Sequence, residues 1–188
     1  MNEKNFLKNY FSDLNDLLSN GEHHKKLINI KDILLKTHKD GKKTMIFGNG
    51  GSAAIASHFS VDLTKNAGIR CTNYNESDLL TCFSNDFGYE KWVEKTIEFY
   101  GDEGDVVILI SAGGNSPNMT NGAKSAKKKK IRKIITLTGN DENNSLKKLG
   151  DINLWINSKA YNHIENVSQA LLLSIVDLII GKTEYPPN

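Results

Sequence analysis

Apolar positions near the start of the chain recur with a helical period. Phe6, Leu7, Tyr10, Phe11, Leu14, Leu17 and Leu18 fall at i, i+3, i+4 and i+7 spacing, which predicts an amphipathic helix that Gly21 is expected to end. Leu27, Ile30, Ile33, Leu34 and Leu35 mark a second one. From residue 44 the pattern changes to short apolar runs. Thr44 to Phe47 leads into Gly-Asn-Gly-Gly-Ser, Val106 to Ile110 into Ser-Ala-Gly-Gly-Asn-Ser, and Ile134 to Leu137 into Thr-Gly-Asn-Asp. Ile152 to Ile156 and Arg70 to Tyr74 are weaker runs of the same kind. Helical stretches lie between them, at 53–65, 90–100, 117–129 and 143–149, and a long helix at 164–180 closes the chain. Strand, glycine loop and helix in repetition predict an α/β fold, a doubly wound parallel sheet with helices on both faces. Residues 1–40 then form an N-terminal helical extension and 41–188 the α/β domain. The extension is too amphipathic to stand alone, so it is expected to pack in a homo-oligomer.

Composition narrows the function classes. The 188 residues suffice for one domain with a sizeable core. A net charge of +2 exerts no strong pull toward nucleic acid or an acidic membrane. The dense basic run, Lys127 to Lys130 with Arg132 and Lys133, fits a solvated helix end, with a partner-binding patch as the alternative. Cys71 and Cys82 form no Cys-x-x-Cys pair, so a cysteine-based structural zinc site is not expected. Reduced thiols and the lack of an apolar signal core in MNEKNFLKNY point to the cytoplasm. The apolar stretch 170–180 is shorter than the ~20 residues that span a bilayer, and it reads as a buried or subunit-facing helix.

The glycine loops carry the chemistry. In open α/β sheets, ligands bind outside the carboxyl ends of the strands. Asn49, Gly50, Gly51 and Ser52 follow the first strand; Ser111, Gly113, Asn115 and Ser116 follow the next long one. Glycines allow close backbone approach, serine hydroxyls add donors, and a helix start favours an anion. Ser116 is a plausible N-cap with Pro117 as the first helical residue. Two such loops on adjacent strands are expected to hold a phosphate. Gly48-Asn-Gly-Gly-Ser-Ala53 also matches G-x-G-x-x-G/A formally, but the acidic residue about 20 positions on, which a nicotinamide site needs, is missing.

Several ordered motifs together carry a family resemblance. Gly48-Asn-Gly-Gly-Ser-Ala-Ala with His58-Phe-Ser-Val-Asp-Leu63, then Asn85-Asp-Phe-Gly-Tyr89, then Gly104-Asp-Val-Val leading into Ile110-Ser-Ala-Gly-Gly-Asn-Ser116, and Ile135-Thr-Leu-Thr-Gly139 resemble the phosphoheptose isomerases, a family built on the sugar-isomerase (SIS) domain. The resemblance covers nearly the whole chain. It implies interconversion of sedoheptulose 7-phosphate and a heptose phosphate for surface-polysaccharide synthesis. It also implies a homotetramer with sites at subunit interfaces and, as in some members, a bound zinc. Asn85 and Asp86 join the sugar-phosphate contacts on this basis.

An aldose–ketose isomerase shuttles a proton between C1 and C2, which takes a base and a proton donor for the oxygen. The resemblance places the base at Asp62, where the family has the longer glutamate. His58 and Asp62, at i and i+4, share a helix face. The family's glutamine and histidine on the closing helix become Glu165 and Leu173; Glu165 gains a catalytic or metal-binding role, and leucine can fill neither. His58, Asp62 and Glu165 are thus the expected metal set. His163 points away from Glu165 on a continuous helix. Ala112 and Gly113 stand where the family has hydroxyls. A non-catalytic, sugar-phosphate-binding regulator of the same class, such as one that binds the replication initiator, is the alternative function.

Overall fold

The computed structural model describes residues 2–186. Helices α1 (Glu3–Leu18) and α2 (Gly21–Lys39) precede strand β1 (Thr44–Phe47). There follow α3 (Gly51–Lys65), β2 (Cys71–Asn73), α4 (Ser77–Phe87), a 3-10 turn (Tyr89–Lys91) and α5 (Trp92–Tyr100). The chain continues through β3 (Val106–Ser111), α6 (Pro117–Lys128), β4 (Lys133–Thr138), α7 (Ser145–Leu149), β5 (Ile152–Trp155) and α8 (Tyr161–Ile180).

The five strands are parallel in the order β2-β1-β3-β4-β5. Strand order reverses between β1 and β3, which pair directly from Thr44↔Val106 to Phe47↔Leu109. Side chains of a strand alternate between faces, and here both faces are covered, so the strands read as continuous apolar runs. Ile46, Ile108, Ile110, Ile135 and Leu137 turn to one face, where α2, α3 and α8 supply Leu34, Phe59, Leu172 and Ile175. Met45, Phe47, Val107 and Leu109 turn to the other, against Trp92 and Ile97 of α5 and Met119 and Ala123 of α6.

Two local expectations are corrected. Gly21 does not end the first helix; it opens α2. The break comes at Ser19 and Asn20, because the Asn20 side chain accepts from the Glu22 N–H and caps the second helix. The segment between β2 and α5 also holds a helix, α4, that the pattern did not suggest. Its Leu79, Leu80 and Phe83 are only half-buried against the core, and Asp, Ser, Thr and Asn dilute the apolar signal.

Within the extension, α2 buries Leu27, Ile30 and Leu34 in the same core as the sheet. By contrast α1 buries nothing fully, and Phe6, Leu7 and Phe11 are 51%, 52% and 60% exposed. By length and composition α8 could cross a membrane, yet it packs on α1, α2 and α3 and buries Val167, Leu171, Leu172 and Ile175.

Candidate active site

The loops after β1 and β3 lie side by side at the reversal of strand order. Between them opens a cavity of about 520 Å³ lined by Asn49, Ser52, Ser111, Ala112, Gly113, Asn115, Ser116, Asn140, Tyr161 and Glu165. Four elements converge here: the β1–α3 loop, the β3–α6 loop, the β4–α7 loop through Asn140, and the start of α8.

The β3–α6 loop is a tight turn that leads two hydroxyls to the start of a helix. Gly114 takes φ +69°, closing a turn in which its N–H donates to the Ser111 carbonyl. A Cβ there would lie 2.2 Å from the Asn144 side chain, so only glycine fits. Ser116 is the N-cap of α6 and Pro117 its first residue, as expected. The Ser116 hydroxyl does not cap the helix; it pairs with the buried Ser111 hydroxyl at 3.0 Å. Two hydroxyls and the positive end of a twelve-residue helix therefore face the same space. The Asn115 side chain ties the loop to α7 by accepting from the Ser145 N–H.

The β1–α3 loop works differently. Gly50 is the N-cap of α3, and Ser52 is buried in the first turn. The Glu165 carboxylate lies against Gly51: a Cβ on Gly51 would be 2.5 and 2.7 Å from its two oxygens. This helix start is thus already faced by a carboxylate, which the helix dipole favours. Both loops were expected to hold phosphate. A carboxylate already faces the start of α3, and Glu165 is the one carboxylate among the residues that line the cavity.

Not every expected group reaches this space. Asp62 lies about 16 Å along α3 from Gly51, at ~1.5 Å rise per residue, and does not line the cavity. It pairs with His58 at 3.3 Å, and His58 Nδ1 sits 3.2 Å from the Gln169 amide of α8. Asn85 and Asp86 are exposed on α4 and hydrogen-bond each other instead of turning inward. Their motif neighbour Tyr89 does reach the site, donating to Asn49 Oδ1 at 3.0 Å.

The expected metal set is not assembled within one chain. Both ring nitrogens of His58 already face protein groups, Glu165 lies at the far end of α3, and Leu173 offers no donor atom. Among the described residues no three His, Cys, Asp or Glu side chains could share an ion. The donors present in a single chain therefore do not fit a zinc site.

Tyr161 and Asn140 escaped the sequence argument. Tyr161 begins α8 one turn before Glu165, and its hydroxyl lies 3.5 Å from where a Gly113 Cβ would be. Asn140 has φ +56° and is held by donation from its N–H to the Ser158 carbonyl. The Thr-Gly-Asn-Asp run after β4 was the available signal for Asn140; nothing marked Tyr161. His163 points away from Glu165 as expected, buried with its ring 4.4 Å from that of Tyr10.

These observations define a doubly wound α/β protein with a hydroxyl-lined cavity at its strand-order reversal and a carboxylate in that cavity. The family profile of the SIS domain matches residues 9–139. A phosphoheptose isomerase of Buchnera aphidicola subsp. Acyrthosiphon pisum (strain Tuc7) is 34% identical, covering 95% of this chain and 96% of its own. That of Glaesserella parasuis serovar 5 is 37% identical over 76% of each chain. The solved structure of a phosphoheptose isomerase from Francisella tularensis superposes with a TM-score of 0.87 at 22% identity, over 97% of this chain and all of that one, which shows the shared fold. The chain belongs to the SIS domain family, among its phosphoheptose isomerases.

Proposed function

We infer that the protein is a phosphosugar ketose–aldose isomerase of the sedoheptulose 7-phosphate type. The observation that carries this is the Glu165 carboxylate in the same cavity as a hydroxyl-rich helix start. The phosphate lies on Ser111, Ser116 and the start of α6, with Asn49, Ser52 and Asn115 on the flanks. That anchors the sugar so that its other end reaches toward Glu165. Anchoring matters because a misplacement of about 1 Å at the reacting carbon can cost about 100-fold in rate. Glu165 removes the proton from one carbon and returns it to its neighbour through the enediol. Tyr161, one helical turn away, supplies the hydroxyl that serves the sugar oxygen.

Asp62, His58, Asn85 and Asp86 enter this site only if a second chain brings them. The exposed Phe6, Leu7 and Phe11 of α1 support a homo-oligomer, which we take to be a tetramer. A zinc ion would require the same inter-subunit completion. The working place is the cytoplasm and the product feeds surface polysaccharide.

The test is conversion of sedoheptulose 7-phosphate by the purified chain, with and without added zinc. Turnover abolished by Glu165→Gln, with sugar binding kept, supports the assignment. No turnover, together with thermal stabilisation by the sugar phosphate, assigns the chain instead to non-catalytic binding.

A further inference from the structure

Asn118 is a polar side chain only 1% exposed, one residue into α6 and outside the cavity lining. Burying an amide is costly unless its groups are paired, so its partners are informative. Its Oδ1 accepts from the Met119 backbone N–H at 3.1 Å and from Asn49 Nδ2 at 3.1 Å. Its own Nδ2 donates to Asn49 Oδ1 at 2.8 Å. Two asparagine amides thus face each other in a closed pair of hydrogen bonds. Tyr89 adds a third bond to the same Asn49 oxygen.

The direction of these bonds follows from one obligate donor. A backbone N–H can only donate, so Met119 makes the facing atom of Asn118 the oxygen. The Asn118 nitrogen is then on the other side and must meet an acceptor, which makes the facing Asn49 atom its oxygen. Tyr89 consequently donates. The remaining Asn49 nitrogen has two hydrogens, and Asn118 takes one. The other has no partner among the described residues, on a side chain that lines the cavity.

We propose that Asn118 is a positioning residue of the active site, holding Asn49 so that its free N–H is presented to a sugar oxygen. The proposal rests on the isomerase assignment above. A donor locked in place before the substrate arrives costs no reorganisation when charge develops on that oxygen. The clamp also joins the β1 loop, which meets Glu165, to the helix that takes the phosphate, so it sets the spacing between the two ends of the substrate.

Asn118→Asp is nearly isosteric and tests this. It keeps the acceptor for Met119 but sets an oxygen against Asn49 Oδ1, so Asn49 must turn away. The expected result is a kcat for sedoheptulose 7-phosphate lowered by about 10- to 100-fold, as for a lost positioned donor. Asn118→Asp also sets a carboxylate in the first turn of α6 and weakens phosphate binding there, so the phosphate control is read in Tyr89→Phe, which adds no charge and should keep affinity for inorganic phosphate within about 2-fold. In an Asn49→Ala background Asn118→Asp should cost less than about 2-fold more, since its effect passes through Asn49. Equal losses in both backgrounds, or no loss in either, overturn the proposal. Should Asn118→Asp fail to fold, Tyr89→Phe removes the outer bond from an exposed side chain and is judged by the same non-additivity. A wild-type chain that binds the sugar without converting it sinks the isomerase assignment alone. The clamp is then judged by the loss of sugar affinity relative to inorganic phosphate in Tyr89→Phe. Wild-type protein that neither binds nor converts the sugar overturns both.

Discussion

At the scale of single residues, the clearest lever is the contact between Gly51 and Glu165. Gly51 lies in the first turn of α3 with ordinary helical backbone, so alanine suits the helix and should hold or slightly raise stability. Its methyl would nevertheless displace the Glu165 carboxylate. Gly51→Ala should therefore melt within a few degrees of wild type while losing about 10-fold or more in kcat, measured by turnover beside a thermal melt. Gly114→Ala should behave oppositely, because φ +69° and the Asn144 contact leave no room. A loss of about 1–3 kcal/mol is expected, read from denaturant titration. His23 gives a pH test. Burial, helped by the nearby Lys26 charge, holds its imidazole below the ordinary 6.5, against a smaller opposing pull from Glu22. The folded chain then binds fewer protons than the unfolded one, so the stability it contributes is present above pH 6.5 and drains away as pH falls toward the depressed value. Melting temperature should drop as pH falls below about 6.5, and His23→Gln should flatten that slope.

At the scale of elements, α2 and α8 are pieces of the main core. Ile30 of α2 is fully buried among side chains of the same cluster as Leu172 and Ile175. Ile30→Ala should cost about 2–5 kcal/mol through lost transfer energy and the cavity left behind, measurable as a shift in denaturant midpoint at constant slope. The start of α6 makes a different kind of contribution. Ser111 and Ser116 satisfy each other when no ligand is present, so the loop pays little for their partial burial. The α helices at 51, 92, 117 and 161 and all five strands were legible as elements, because period and glycine punctuation agree there. Helix α4 was not, since a half-buried helix with many short polar residues lacks a clean apolar stripe.

At the scale of the whole molecule, one chain presents paired hydroxyls and a carboxylate in the same cavity but leaves an apolar stripe on α1 exposed. Phe11→Glu on that stripe should lower the oligomeric state in analytical ultracentrifugation while leaving the far-ultraviolet circular dichroism unchanged, because Phe11 is 60% exposed and holds up little of the fold within its own chain. The lower end of the sheet is closed by Lys43, which pairs with the buried Asp105 at 2.6 Å and with Asp102 at 2.7 Å. This network lies far from the chemistry and belongs to the scaffold.

Sequence alone determined the fold class, the two glycine loops and their place after the strands, because periodicity and glycine position are local properties of the chain. It also showed Glu165 as an anomaly worth a role. The resemblance put the base at Asp62, but only the packing of α8 on α3 decides which carboxylate enters the cavity: it brings Glu165 to Gly51 and leaves Asp62 with His58. The pairing of Asn49 with Asn118, across 69 positions, joins the β1–α3 loop to the first turn of α6, which become neighbours only because β1 lies beside β3. Local pattern has no access to such a contact, since it depends on strand order, which the tertiary fold settles.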